Sequence, residues 1–131
     1  MTSLVDDLIR HEGYRKHLYE DSVGNLTIGV GYHIGEKGLP DYIIRLLLAD
    51  SLKEAREELA RIYPYRHLSR TRQDVLLNMI FNMGAPRLQT FKKMWAAIKE
   101  GDFETAADEM LDSKWASQVG DRAIELSERM R

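Results

Sequence analysis

Cysteine is absent from the 131 residues, so the chain can form no disulfide and offers no thiolate to zinc or an iron–sulfur cluster. That favours synthesis in a reducing compartment without fixing where the protein acts. Long apolar runs are also missing. IIRLLLA, from Ile43, is interrupted by Arg45 and is far too short to span a bilayer. No stable membrane insertion is expected. The N-terminus, MTSLVDDLIRHEG, carries Asp6 and Asp7 where a signal peptide would be basic, so no signal peptide is expected. Neither sign of charge dominates: 19 Lys and Arg face 21 Asp and Glu, a net charge of −2. With no basic stripe, nucleic-acid binding is not expected. The four histidines, His11, His17, His33 and His67, show no HExxH or comparable metal spacing, and no P-loop, dinucleotide glycine pattern or nucleophile elbow occurs. No metal and no cofactor are expected. There is no internal repeat and no low-complexity segment.

What is present describes an ordinary globular chain, 44% hydrophobic and 31% charged, long enough for a real core. The pattern predicts one α+β domain over 1–131: an N-terminal helix at 1–12, a β lobe at 13–39, a connecting helix at 40–62 and a helical lobe at 63–131. In the first helix, Thr2 or Ser3 can cap, Asp6 and Asp7 suit the positive end, and Leu4, Val5, Leu8 and Ile9 share a face. Gly13 ends it and leaves Glu12 at the C-terminus, where the dipole disfavours a carboxylate. Strand-tolerant residues on either side of the turn-rich EDSVGN predict an antiparallel hairpin of two or three strands. Gly35 and Gly38 mark a loop, and Pro40 suits the first turn of the connecting helix, within which Asp50–Ser51 is a candidate break. Beyond Pro64 the predicted helices are 71–83, one starting at Thr90 with Met94, Trp95 and Ile98 inward, one capped by Asp102, and a last from Gly120–Asp121 with Ile124, Leu126 and Met130 inward. A cleft between two lobes is the expected ligand site.

Chemistry concentrates between His11 and His33. Glycoside hydrolysis needs a protonated acid for the leaving oxygen and a carboxylate that activates water, in different surroundings. Glu12 at a helix end and Asp21 in a polar turn fit these parts, and the Thr27 hydroxyl could hold the water. Taken singly, each has a plainer reading: a surface charge, a turn former and a strand residue.

Order and spacing carry the reading further. Eight residues separate Glu12 from Asp21, five separate Asp21 from Thr27, and T-I-G-x-G follows. This strongly resembles the phage-type, T-even-phage-lysozyme-like lysozymes, a family of muramidases. FNMG at Phe81–Gly84, GDFETAA at Gly101–Ala107, S-K-W at Ser113–Trp115 and D-R-A at Asp121–Ala123 resemble successive pieces of the family's helical lobe. The resemblance covers nearly the whole chain. It implies Glu12 as general acid, Asp21 as the second carboxylate and Thr27 as the hydroxyl on the attacking water. It implies sugar contacts for Phe81 and Asn82, for which a core aromatic is the plainer reading of Phe81. Arg122 matches a basic residue that supports the acid. Glu109 and Lys114 match substrate positions, although a solvated face explains both.

The sequence also departs from the family. Where the family places a His that pairs with an acid on the connecting helix, this chain has Tyr32, followed by His33, and Asp50 matches the acid. Three options stay open: Tyr32 bonds Asp50, His33 takes over, or the contact is lost. His33 is also a candidate substrate contact. The stretch from Gly35 to Asp41 and its junction with the helix are shorter than in the best-known relative. The resemblance implies a monomeric peptidoglycan hydrolase acting on the bacterial glycan strand during phage lysis. Such an enzyme is made in the host cytoplasm and released by a holin-type lesion, with a tail-borne role equally open. A chitin-type hydrolase and a non-catalytic glycan-binding module are the rivals.

Overall fold

The computed structural model describes residues 3–131. Two compact units divide it, Met1–Leu47 and Leu48–Arg131.

The first unit begins with α1, Leu4–Glu12. Ser3 is its cap: the Ser3 hydroxyl accepts the Asp6 N–H at 3.1 Å, and the alternative cap, Thr2, lies outside the described residues. The predicted apolar face forms on α1, but Leu4, Val5 and Leu8 are exposed. Strands β1, Arg15–Glu20, and β2, Leu26–Gly29, pair antiparallel, with Tyr19 opposite Thr27 and Glu20 opposite Leu26. Among the described residues a third strand does not form. Glycines at positive φ, Gly29 at 68° and Gly31 at 64°, turn the chain back at once, and only the bridge between Ile28 and Tyr32 remains. The stretch expected as a loop holds a short helix instead, α2, Ile34–Lys37, whose end is closed by the Gly38 N–H donating to the Ile34 carbonyl at 2.8 Å. Among the described residues of this unit, Thr27 alone is buried.

Helix α3, Asp41–Ile62, runs through the division between the units. Its 22 residues reach about 33 Å without a break at Asp50–Ser51. Two short polar side chains tolerate a helix interior when flanked by strong formers such as Leu46–Leu48 and Leu52. A 3-10 turn at Tyr65–His67 follows Pro64, and then come α4, Arg70–Met83, α5, Ala85–Gln89, and α6, Lys92–Lys99. Pro86 sits in the first turn of α5, where its missing N–H costs nothing. The helix predicted from Thr90 begins two residues later, because the Thr90 and Phe91 N–H groups close α5. The last three are α7, Phe103–Leu111, α8, Lys114–Val119, and α9, Asp121–Met130. Helix α8 was not anticipated. Ser113 caps it, its hydroxyl accepting the Ala116 N–H at 3.1 Å.

The hydrophobic core lies entirely in the second unit. It runs from Ala55 and Leu59 of α3 through Leu76, Met79 and Ile80 of α4 to Met110 of α7 and Leu126 and Met130 of α9. Each large apolar side chain removed from water there contributes about 1.5–3 kcal/mol before entropy is set against it. Ile124 is not part of this core and is exposed, because α9 turns Ala123 and Leu126 inward instead. Across the unit, the Arg72 guanidinium donates to the Met130 carbonyl at 2.7 Å and to that of Arg131, and lies 3.7 Å from the centre of the Phe103 ring. Arg131 pairs in turn with Glu104 and Asp108 of α7 at 2.7 and 2.9 Å.

Candidate active site

Glu12 is the last residue of α1, as the sequence implied. Its carboxylate lies over the backbone of Gly31, so close that a Cβ added there would stand 2.9 Å from Oε2. The turn after β2 therefore forms a floor under the acid, and a side chain at position 31 would have to displace the carboxylate.

Asp21 begins the hairpin turn. Its Oδ1 accepts the N–H groups of Val23 at 3.0 Å and Asn25 at 2.8 Å, and its Oδ2 accepts the Asn25 side-chain amide at 3.2 Å. The His33 imidazole stands at ion-pair distance, with Nε2 at 3.5 Å from Oδ2. The Asn25 N–H above all holds the Asp21 carboxyl below its ordinary range; partial burial opposes it, and the Val23 N–H, the Asn25 amide and the charge of His33 reinforce it. Asp21 is thus kept as an anion by a turn built around it.

Thr27 is 1% exposed and faces Tyr19 across the sheet. Its hydroxyl donates to the Asn25 carbonyl at 2.9 Å. His33 therefore joins Asp21 rather than standing apart as a substrate contact alone. The Tyr32 hydroxyl donates to the Gly38 carbonyl, within its own unit, and Asp50 is an exposed residue of α3.

The remaining candidates lie in the helical unit. Phe81 is 52% exposed, so the core-aromatic reading fails. It lines a depression of about 380 Å³ together with Leu77, Asn78 and Arg122. The Arg122 guanidinium donates twice to the Asn78 side-chain oxygen, at 3.0 and 2.7 Å, an anchoring partner that the spacing did not suggest. The Asn82 side-chain oxygen accepts the Trp115 indole N–H at 2.8 Å, which ties α4 to α8. Glu109 lines a second depression, of about 480 Å³, with Phe91, Lys92, Lys93, Asp112 and Lys114.

The sequence alone assigns no part in the site to two residues of consequence, Asn25 and Gly31. The signal for Asn25 was its place four residues after Asp21 in a turn, where a side-chain oxygen caps backbone N–H groups. For Gly31 it was the second glycine of T-I-G-x-G. Among the described residues no helix is long and apolar enough to cross a membrane.

The chain is similar to known proteins over most of its length. Residues 9–131 match the family described as "Phage lysozyme". The chain is 27% identical to "Probable T4-type lysozyme 2" of Dictyostelium discoideum, over 94% of its own length and 91% of the relative's. It is 28% identical to "Pre-baseplate central spike protein Gp5" of Enterobacteria phage T4, over 92% of its own length but 26% of that protein's. It is 26% identical to "Peptidoglycan hydrolase gp36" of Pseudomonas phage phiKMV, over 95% of its own length and 14% of that protein's.

Proposed function

The chain belongs to the phage lysozyme family, and from that premise we propose that it hydrolyses the β-1,4 bond between N-acetylmuramic acid and N-acetylglucosamine in bacterial peptidoglycan. The observation that carries the reading is the contrast between its two carboxyls. Asp21 is wrapped in donors that favour the anion, whereas Glu12 stands at the negative end of a helix against bare backbone. Asp21 is held as the anion, and Glu12 is the group proposed to give the proton.

In this mechanism protonated Glu12 gives its proton to the leaving glycosidic oxygen as the bond to the anomeric carbon breaks. Water attacks that carbon from the opposite face and its proton passes to Asp21. Solvent then restores both groups. The product is inverted at the anomeric carbon, a geometry that needs roughly 6.5–9.5 Å between the carboxyls. Thr27 would hold the water. Half-exposed Phe81 offers a ring to a sugar face, Asn82 and Glu109 are the further contacts proposed on the helical unit, and Arg122 is a supporting residue.

The enzyme would act as a monomer on the glycan strand, made in the host cytoplasm and released through a holin-type lesion. The similarity to a central spike protein favours a second setting, in which the same activity is carried on a phage particle.

The test is clearing of purified peptidoglycan by wild type and by Glu12→Gln, which keeps the shape and removes the proton donor. A loss of about 10²–10⁴-fold in rate is expected. Proton NMR of the first product should show the inverted anomer. Equal clearing by both proteins would remove Glu12 as the acid. Wall binding without clearing by either would make the domain a binding module.

A further inference from the structure

Asp21 and Thr27 are not joined directly in the hairpin; each bonds to Asn25. The Asn25 side-chain amide donates to Asp21 Oδ2 at 3.2 Å, and its backbone N–H donates to Oδ1 at 2.8 Å. Its carbonyl accepts both the Asp21 N–H at 2.9 Å and the Thr27 hydroxyl at 2.9 Å. A single half-buried residue therefore touches the proposed second carboxylate twice, the Asp21 backbone once and the proposed water-holding hydroxyl once.

We propose that Asn25 is a positioning residue for the hydrolytic water, coupling Asp21 to Thr27. The inference rests on the roles proposed above for those two residues. Oδ1 of Asp21 is occupied by two backbone N–H groups, so the oxygen left for water is Oδ2. The Asn25 amide on one side and the His33 ring on the other fix where Oδ2 points. The Thr27 proton is already committed to the Asn25 carbonyl, so what Thr27 offers a water is a lone pair. Two acceptors, Oδ2 and the Thr27 oxygen, would take the two hydrogens of one water and turn its own lone pair outward. Without the Asn25 amide, Oδ2 keeps only the longer His33 contact at 3.5 Å and this alignment loosens, with no change in how sugar is bound.

The role separates from that of an ordinary turn residue by one comparison. Asn and Asp are close equivalents in turns. If Asn25 serves the turn alone, Asn25→Asp should behave like wild type and Asn25→Ala should be worse. If its amide serves as a donor, Asn25→Asp is the worse of the two, because it turns a carboxylate towards Oδ2. The measurement is kcat and KM on soluble peptidoglycan fragments near neutral pH, with thermal melting alongside. The expected order of kcat is wild type, then Asn25→Ala, then Asn25→Asp, the last at least about tenfold below wild type, with KM within about twofold throughout. His33→Ala should lower kcat less than Asn25→Asp does.

Active wild type with Asn25→Asp as fast as Asn25→Ala, or faster, overturns the role of Asn25 and leaves the hydrolase reading intact. Inactive wild type overturns both. If Asn25→Asp alone fails to fold, Asn25→Ala decides. A kcat at least about threefold below wild type at unchanged KM and unchanged melting temperature upholds the role, and a smaller loss of kcat, or one that comes with a lowered melting temperature, overturns it.

Discussion

The closest approach in the site, that of Gly31 to Glu12, can be tested with an internal control. Gly31→Ala puts a methyl group 2.9 Å from Glu12 Oε2, 3.3 Å from its Cβ and 3.4 Å from its Cδ. Gly29→Ala, two residues earlier, meets nothing within 4 Å. Both glycines sit at nearly the same left-handed φ, 64° and 68°, so the backbone cost of the added methyl should be nearly equal. That cost is about 1–2 kcal/mol, or a fall of a few degrees in Tm for a chain of this size. The difference between the two variants is then the acid itself. A carboxylate on a flexible stem yields cheaply, so Gly31→Ala should cost little more in stability than Gly29→Ala. It must, however, push the Glu12 carboxyl away by several tenths of an ångström or more. Displacement on that scale at a reacting group costs about 10–100-fold in rate. Tm by circular dichroism and initial clearing rates of peptidoglycan give the two quantities. Matched melting with at least tenfold slower clearing by Gly31→Ala is the expected result. Equal clearing rates for the two variants would refute the claim that this turn positions the acid.

Two other outcomes follow from the contacts. Asn82→Ala leaves the Trp115 indole N–H without its acceptor in a residue that is 1% exposed, at a cost of about 1–3 kcal/mol, read from the urea midpoint. An unchanged midpoint with only KM altered would make Asn82 a substrate contact and nothing more. For Asp21, the folded carboxyl holds its proton less tightly than the free value of 3.8. Its bonds therefore stabilise the fold fully above that value and cease to do so as pH falls through the lower folded value. The Tm advantage of wild type over Asp21→Asn should shrink on going from about pH 6 to about pH 2.5. An advantage that grows on acidification would contradict the assignment of Asp21 as a held anion.

Much of this was legible in the residues because local signals and tertiary packing agree. Ser3 and Asp102 cap the helices they precede, and the inward faces of α4, α6 and α7 follow from their apolar spacing. Glu12 ends α1 before Gly13 and Asp21 opens the turn of the hairpin, as the local helix-stop and turn signals predict. The short helices α2, α5 and α8 were missed, since four to six residues give no period to detect and tertiary contacts decide. The third strand was lost to a turn chemistry that needed the φ values of Gly29 and Gly31. Partners across long separations, Arg122 with Asn78 and Asn82 with Trp115, were invisible because spacing predicts neighbours only within an element.

The grip of Arg72 on the Met130 and Arg131 carbonyls spans 58 and 59 residues of sequence. The hairpin, by contrast, pairs residues at most as far apart as Arg15 and Gly29. On a ribosome these two contacts form at different times. The hairpin can close as soon as it emerges, but α4 must wait for α9 before its guanidinium has carbonyls to hold. Until then the apolar faces of α4 and α7 stay uncovered. The helical unit is accordingly the part of a nascent chain that should most engage a chaperone, and stalling translation before residue 121 should prolong that engagement.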